Sequence, residues 1–340
     1  MQTSSSYHMA MGRRTGRIVV AALLIAAGCG GSDDSQPPLV LTSANAQAVA
    51  AETLIAAAQT TNGVQNPLGG LAGAATSPVR GAGLRAAQRL ASSATGAQPV
   101  APGTMTEACA AGGTTTTNAT TTSATVTYNN CQESATTRIN GTLTLTFKTT
   151  SGGTSSDFSF SVSVNLTITL GTLSLAESGG YDLTFKSSSD PNALGSEVAL
   201  TGSHLSASVS GGPSSDKITL SNFDIDIKQD LTNTPNQQIE TIDYDLDSTR
   251  LKGHISVTTN TPVAQTLEAG IPHQFPHTGQ VLITGANHTR LQITILGDET
   301  FTPPAGQGQV EIELDTGTGT FAAPIWVNWT ALAQLAGTSP

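Results

Sequence analysis

Phe158–Leu170 reads FSFSVSVNLTITL, and no helix carries that pattern. Phe158, Phe160, Val162, Val164, Leu166, Ile168 and Leu170 alternate without a break with Ser159, Ser161, Ser163, Asn165, Thr167 and Thr169. Successive strand side chains point to opposite faces, so the spacing predicts one long strand, apolar on one side and hydroxylated on the other. At about 3.3 Å per residue it spans roughly 40 Å, well beyond the usual strand. Such a strand needs equally long neighbours and a cover for its apolar face. Phe158, Phe160, Val162, Val164, Leu166 and Ile168 are therefore the candidate wall of a hydrophobic-ligand site if that cover is missing.

Working outward, period-2 segments continue from about Cys109 to the end of the chain. Phe223, Ile225 and Ile227 alternate with Asp224, Asp226 and Lys228. Ile242, Tyr244 and Leu246 alternate with Asp243, Asp245 and Asp247. Turn residues separate the segments, among them Ser178-Gly179-Gly180 ahead of an expected strand Tyr181–Ser187. Strands joined by short turns read as an antiparallel meander. The expected fold is all-β, a large meander sheet forming a curved half-barrel or open barrel, with a β-sandwich as the alternative. Ahead of it, TSANAQAVAAETLIAAAQ offers Ser43 or Asn45 as a cap and Val49, Leu54 and Ile55 as a modest stripe, predicting a short N-terminal helix. A looser helix is expected near Leu84 to Leu90.

Composition narrows the function classes. Charged residues make up 11% of the 340, aromatics 4%, and the formal charge is −10. An acidic, lysine-poor surface argues against nucleic acid and against electrostatic docking on anionic lipid.

Residues 12–29, GRRTGRIVVAALLIAAGC, place three arginines before an apolar run from Ile18 to Ala27. This is a secretory leader, too short for a membrane-spanning helix. Its removal takes Arg13, Arg14 and Arg17, leaving 11 basic against 24 acidic residues, a charge of −13. Ala27-Gly28-Cys29 resembles a bacterial lipobox, departing from it at Ala26. The resemblance implies that Cys29 is lipidated and becomes the first residue. Gly30 after it, rather than Asp, is similar to the outer-membrane sorting pattern of Gram-negative lipoproteins. The expected partner is then the membrane, reached through acyl chains on Cys29. The expected organisation is a signal peptide over 1–28, a tether over 29–40, a helical and Ala/Gly/Pro-rich region over 41–104, and a β domain over 105–340.

In an oxidising compartment Cys109 and Cys131 are an even pair, expected to form a disulfide rather than two buried thiols.

Sites with chemistry are few. The combs Asp224/Asp226 and Asp243/Asp245/Asp247 read as solvated charge on the wet face rather than a calcium or glycosidase pair. His273 and His277 in PHQFPH have a metal-like spacing, but Pro272 and Pro276 forbid the helix that would align both rings, so no metal is expected there. No Gly-x-Ser-x-Gly elbow or phosphate loop is present. No catalytic residue and no cofactor is expected.

The C-terminal stretches FPHTGQVLITGANHTRLQITILGDE, VEIELDTGTGTF and PIWVNWTAL, with INGTLTLTF after Cys131, resemble a family of uncharacterised proteobacterial β-rich lipoproteins. That family carries an Asp-rich turn, where this chain keeps Asp315 but has Gly317 and Gly319. The resemblance implies no known activity. Trp326 and Trp329 are expected to be packing anchors. Together these features favour a lipid-anchored, non-enzymatic structural or interaction module of the envelope. The alternative is a carrier holding a lipid or other hydrophobic ligand on the apolar sheet face.

Overall fold

The computed structural model describes residues 36–54, 102–132, 134–148, 158–187, 196–210, 216–230, 235–268, 271–273 and 275–335. The leader, Cys29, Ile55 and the expected helix near Leu84 to Leu90 lie outside the described residues.

Alternation dictates the architecture. The first strands are β1 (Gly103–Ala108), β2 (Gly112–Ala119), β3 (Ser123–Gln132), β4 (Thr137–Lys148) and β5 (Phe158–Leu170). Then come β6 (Leu173–Ser187), β7 (Ser196–Ser210), β8 (Asp216–Asp230), β9 (Gln237–Ser248) and β10 (Gly253–Glu268). The set closes with β11 (Ile271–Pro272), β12 (Thr278–Thr284), β13 (Arg290–Ile295), β14 (Val310–Asp315) and β15 (Ile325–Val327). They form one 15-stranded sheet whose path follows chain order, with β11 off the path against β10. Neighbours pair antiparallel throughout, and the path does not close on itself. This is the open, half-barrel meander that the sequence pattern predicts.

The strand β5 has the predicted bounds. It pairs with β4 from Thr137↔Leu170 to Lys148↔Ser159, and with β6 from Phe158↔Phe185 to Leu170↔Leu173.

Bulges let strands this long bend while keeping their apolar side chains inside. In β8 the buried positions are Ile218 and Leu220, then Phe223, Ile225 and Ile227. The parity changes at Asn222, whose φ is +49° and where the pairing with β9 shifts register. On β7 the buried set likewise moves from Val198 and Leu200 to Leu205. Gly202 sits at that change because the Phe223 ring lies over it. A Cβ at Gly202 would come 2.3 Å from Phe223 Cζ.

One expected turn is corrected. Ser178-Gly179-Gly180 lies in the middle of β6, not between strands. Gly179 has φ +138°, and a Cβ there would meet the His204 carbonyl oxygen at 2.4 Å. The glycines serve a close strand approach beside the β6/β7 register shift rather than a reversal.

The N-terminal helix exists and is buried almost all round. Residues 46–54, here α1, bury Ala46, Val49, Ala50, Ala51, Glu52 and Thr53. Alanine favours helix and leaves little bulk, so the segment packs close to the sheet. Asn45 turns its side chain back to Thr42 N and the Val40 carbonyl rather than onto the helix amides. A second helix, α2 (Trp329–Leu335), buries Trp329, Leu332 and Ala333, the first two in the same core. Among the described residues no helix is long and apolar enough to cross a membrane.

The expected bridge between Cys109 and Cys131 is present, with Cα atoms 5.4 Å apart. It ties the end of β1 to β3. Replacing both cysteines with Ser is expected to cost about 2 kcal/mol, read as a lower urea midpoint. An unchanged midpoint would show that the bridge constrains nothing.

Candidate functional site

The candidate ligand wall on β5 is buried. Phe160, Val162, Val164, Leu166 and Ile168 are only 1–5% exposed, and they belong to one continuous core with α1 and α2. The side chain of Phe158 lies outside the described residues. On the opposite face Ser163 and Asn165 are exposed, while Ser159 is buried.

Besides the buried Gln238 and Glu240 of β9, two polar features stand out in this core among the described residues. Glu52 of α1 accepts hydrogen bonds from Ser248 Oγ and from Arg250 Nε, and it pairs with Arg250 Nη2. Arg250 Nη1 also donates to the Leu335 carbonyl, 3.4 Å away, so one guanidinium holds both helices. Nearby, Tyr244 Oη donates to the Thr53 carbonyl at 2.9 Å.

The second feature is Glu177 of β6, opposite Leu166 of β5 and Ala207 of β7. It is 3% exposed, and its Oε1 has no hydrogen-bond partner. Burial pushes its carboxyl up to about 8, and its charge in turn raises Tyr181 beyond the shift that burial causes there.

On the convex face the acidic combs do more than solvate. Asp243 Oδ1 accepts from Thr259 N at the β10 bulge, and Asp245 accepts from Asn222 Nδ2 and Ser256 Oγ. Asp247 accepts from Gln36 N and contacts His254 Nδ1 at 3.2 Å, fixing the incoming chain. Asp224 stands opposite Asp243. Burial first, then the charges of Asp226 and Asp243, raises its carboxyl.

The Asp-Gly-rich turn is held from within. Asp315 Oδ1 accepts from the backbone amides of Gly317, Thr318 and Gly319, and Oδ2 from Arg290 Nε and Nη2. The Arg290 bond, opposed by desolvation and helped by the backbone amides, holds this carboxyl at about 2. Its oxygens are thus committed to the turn. Trp329 is the expected anchor, stacked on Phe275 at 4.9 Å with its indole N–H on the Gly297 carbonyl. Trp326 is half-buried on β15 opposite Glu311.

The most concentrated chemistry lies where the β12–β13 hairpin begins and ends. His273 precedes β12 and Asp298 and Glu299 follow β13, so antiparallel pairing delivers all three to one end. His273 Nδ1 is 3.1 Å from Asp298 Oδ2 and 3.9 Å from Glu299 Oε1. Asp298 Oδ1 accepts from Thr300 N at 2.9 Å and Thr300 Oγ1 at 2.6 Å. Burial alone would raise Asp298, but the Thr300 bonds and His273 outweigh it and its carboxyl titrates lower than usual. Glu299 Oε2 accepts from Phe275 N at 3.2 Å. His277, the residue spaced for a shared site, instead places Nδ1 3.3 Å from Thr266 Oγ1. His273 thus groups with two carboxylates rather than with His277. The available signal was that PHQFPH and GDE flank one predicted hairpin. Comparison of the chain with protein-family models, with curated proteins and with solved structures finds no match.

Proposed function

We propose that the chain is a lipid-anchored envelope β protein acting as a non-enzymatic structural or interaction module of the outer membrane. The leader pattern over residues 12–29 supports the anchor at Cys29. The observation that carries the module reading is the filled concave face. The Phe160–Ile168 wall is buried, and α1 lies in the same core, fastened through Glu52 and Thr53. A carrier of hydrophobic ligands keeps an apolar wall within reach of its cargo. Here the protein's own residues occupy that side, which favours the module over the carrier. The hydroxyl-rich, acidic convex face is then the surface offered to a protein partner.

The anchor is tested by replacing Cys29 with Ser. The variant is expected to leave the membrane fraction and appear in soluble extract, because stable anchoring depends on the acyl chains. Continued sedimentation with membranes after a high-salt wash would overturn the anchor.

A further inference from the structure

We infer that His273, Asp298 and Glu299 form a site for one divalent transition cation of the Zn²⁺ class. The ion would staple the segment ahead of β12 to the segment after β13. One donor atom from each residue lies within 4.8 Å of the others. A tetrahedral ion with bonds of about 2.0–2.1 Å holds its donors roughly 3.3 Å apart. The 3.1 Å and 3.9 Å separations from His273 Nδ1 bracket that value, so small side-chain adjustments suffice.

The donors are oriented by groups outside the trio. Thr300 donates to Asp298 Oδ1 and Phe275 N donates to Glu299 Oε2, while Oδ2 and Oε1 lie on the side of the imidazole. The backbone beneath them is fixed as well. His273 N donates to the Thr266 carbonyl at 2.8 Å, and Gln309 Nε2 donates to the Asp298 carbonyl at 3.0 Å. Outer partners of this kind are what position metal-ligating carboxylates and histidines.

Charge points the same way. Two carboxylates converge on one imidazole nitrogen. A dication seated among the three donors would draw both carboxylates and the neutral imidazole to itself. One nitrogen and two carboxylate donors suit Zn²⁺ or a similar transition ion. Three donors fall well short of the six to eight oxygens that Ca²⁺ takes. Three protein ligands also leave a fourth position for water.

The test is calorimetric titration of ZnCl₂ into the mature protein after EDTA treatment and desalting, in parallel with thermal melts. Wild type is expected to bind one equivalent and to melt at higher temperature with zinc present. His273→Gln and Asp298→Asn are each expected to weaken binding at least tenfold and to abolish the zinc-dependent rise. His277→Ala, which removes a ring outside the trio, is expected to bind as wild type does. If Asp298→Asn fails to fold, His273→Gln decides alone, with far-ultraviolet circular dichroism confirming its fold. Absence of one-to-one binding in wild type, or binding by His273→Gln as tight as wild type, would overturn the assignment.

Discussion

Replacing Glu177 with Leu is expected to stabilise the protein by roughly 3 kcal/mol at pH 7 and by much less below pH 4.5. The sign follows from the direction of the shift. Burial raises the folded-state carboxyl from 4.5 to about 8, so the folded chain retains a proton that the unfolded chain releases. Below pH 4.5 both states are protonated and the group costs nothing through ionisation. As pH rises toward 8 the wild type loses about 1.4 kcal/mol per pH unit from this group, and above that the loss levels off. Leu removes the titration and fills the space between Leu166 and Ala207 with apolar atoms. Glu177→Gln separates the two effects. It should flatten the pH dependence while leaving a polar group buried, and so recover less stability. Urea midpoints between pH 5 and pH 8 decide the matter, and parallel pH profiles for wild type and Glu177→Leu would show that Glu177 is solvated.

Replacing Arg250 with Ala is expected to destabilise the protein by about 3 kcal/mol or more, because it removes the cation beside a carboxylate that is 2% exposed. Two helices lose a fastening at once, α1 at Glu52 and α2 at the Leu335 carbonyl. Hydrogen exchange should quicken over residues 46–54 more than over β5. Arg250→Lys should rescue poorly, since one ammonium cannot reproduce a guanidinium that serves two acceptors. The pair Glu52→Ala with Arg250→Ala should cost less than the two single losses summed, because the carboxylate that lost this cation is then gone as well. Equal stability of Arg250→Ala and wild type would mean that the guanidinium does not hold the helices.

These two positions mark where sequence and structure part. β5 was legible to the residue, since its alternation runs without interruption and both flanks break it. The acidic edge of β9 was legible for the same reason. β1 and β2 were not, because GTMTEA and GGTTTTNA carry little apolar alternation even though Thr115 and Thr117 are buried. Gly179 and Gly180 looked like a turn because glycine reports backbone freedom without saying whether the chain reverses or only passes close to a neighbour. Glu177 was invisible for a related reason. It occupies an apolar-parity position, between Leu175 and Tyr181, where the pattern simply appears broken. The trio at the hairpin end depends on register between residues far apart in sequence, and local spacing pointed to His277 instead.

The Phe160–Ile168 wall is buried in the protein's own core. Native mass spectrometry of the Cys29→Ser protein, purified without detergent and paired with solvent extraction of the same sample, tests it most directly. The expected result is the mass of the polypeptide, with or without one bound metal ion, and no extractable lipid. A stoichiometric lipid or other apolar adduct that survives purification would contradict it and return the Phe160–Ile168 wall to the role of a binding site.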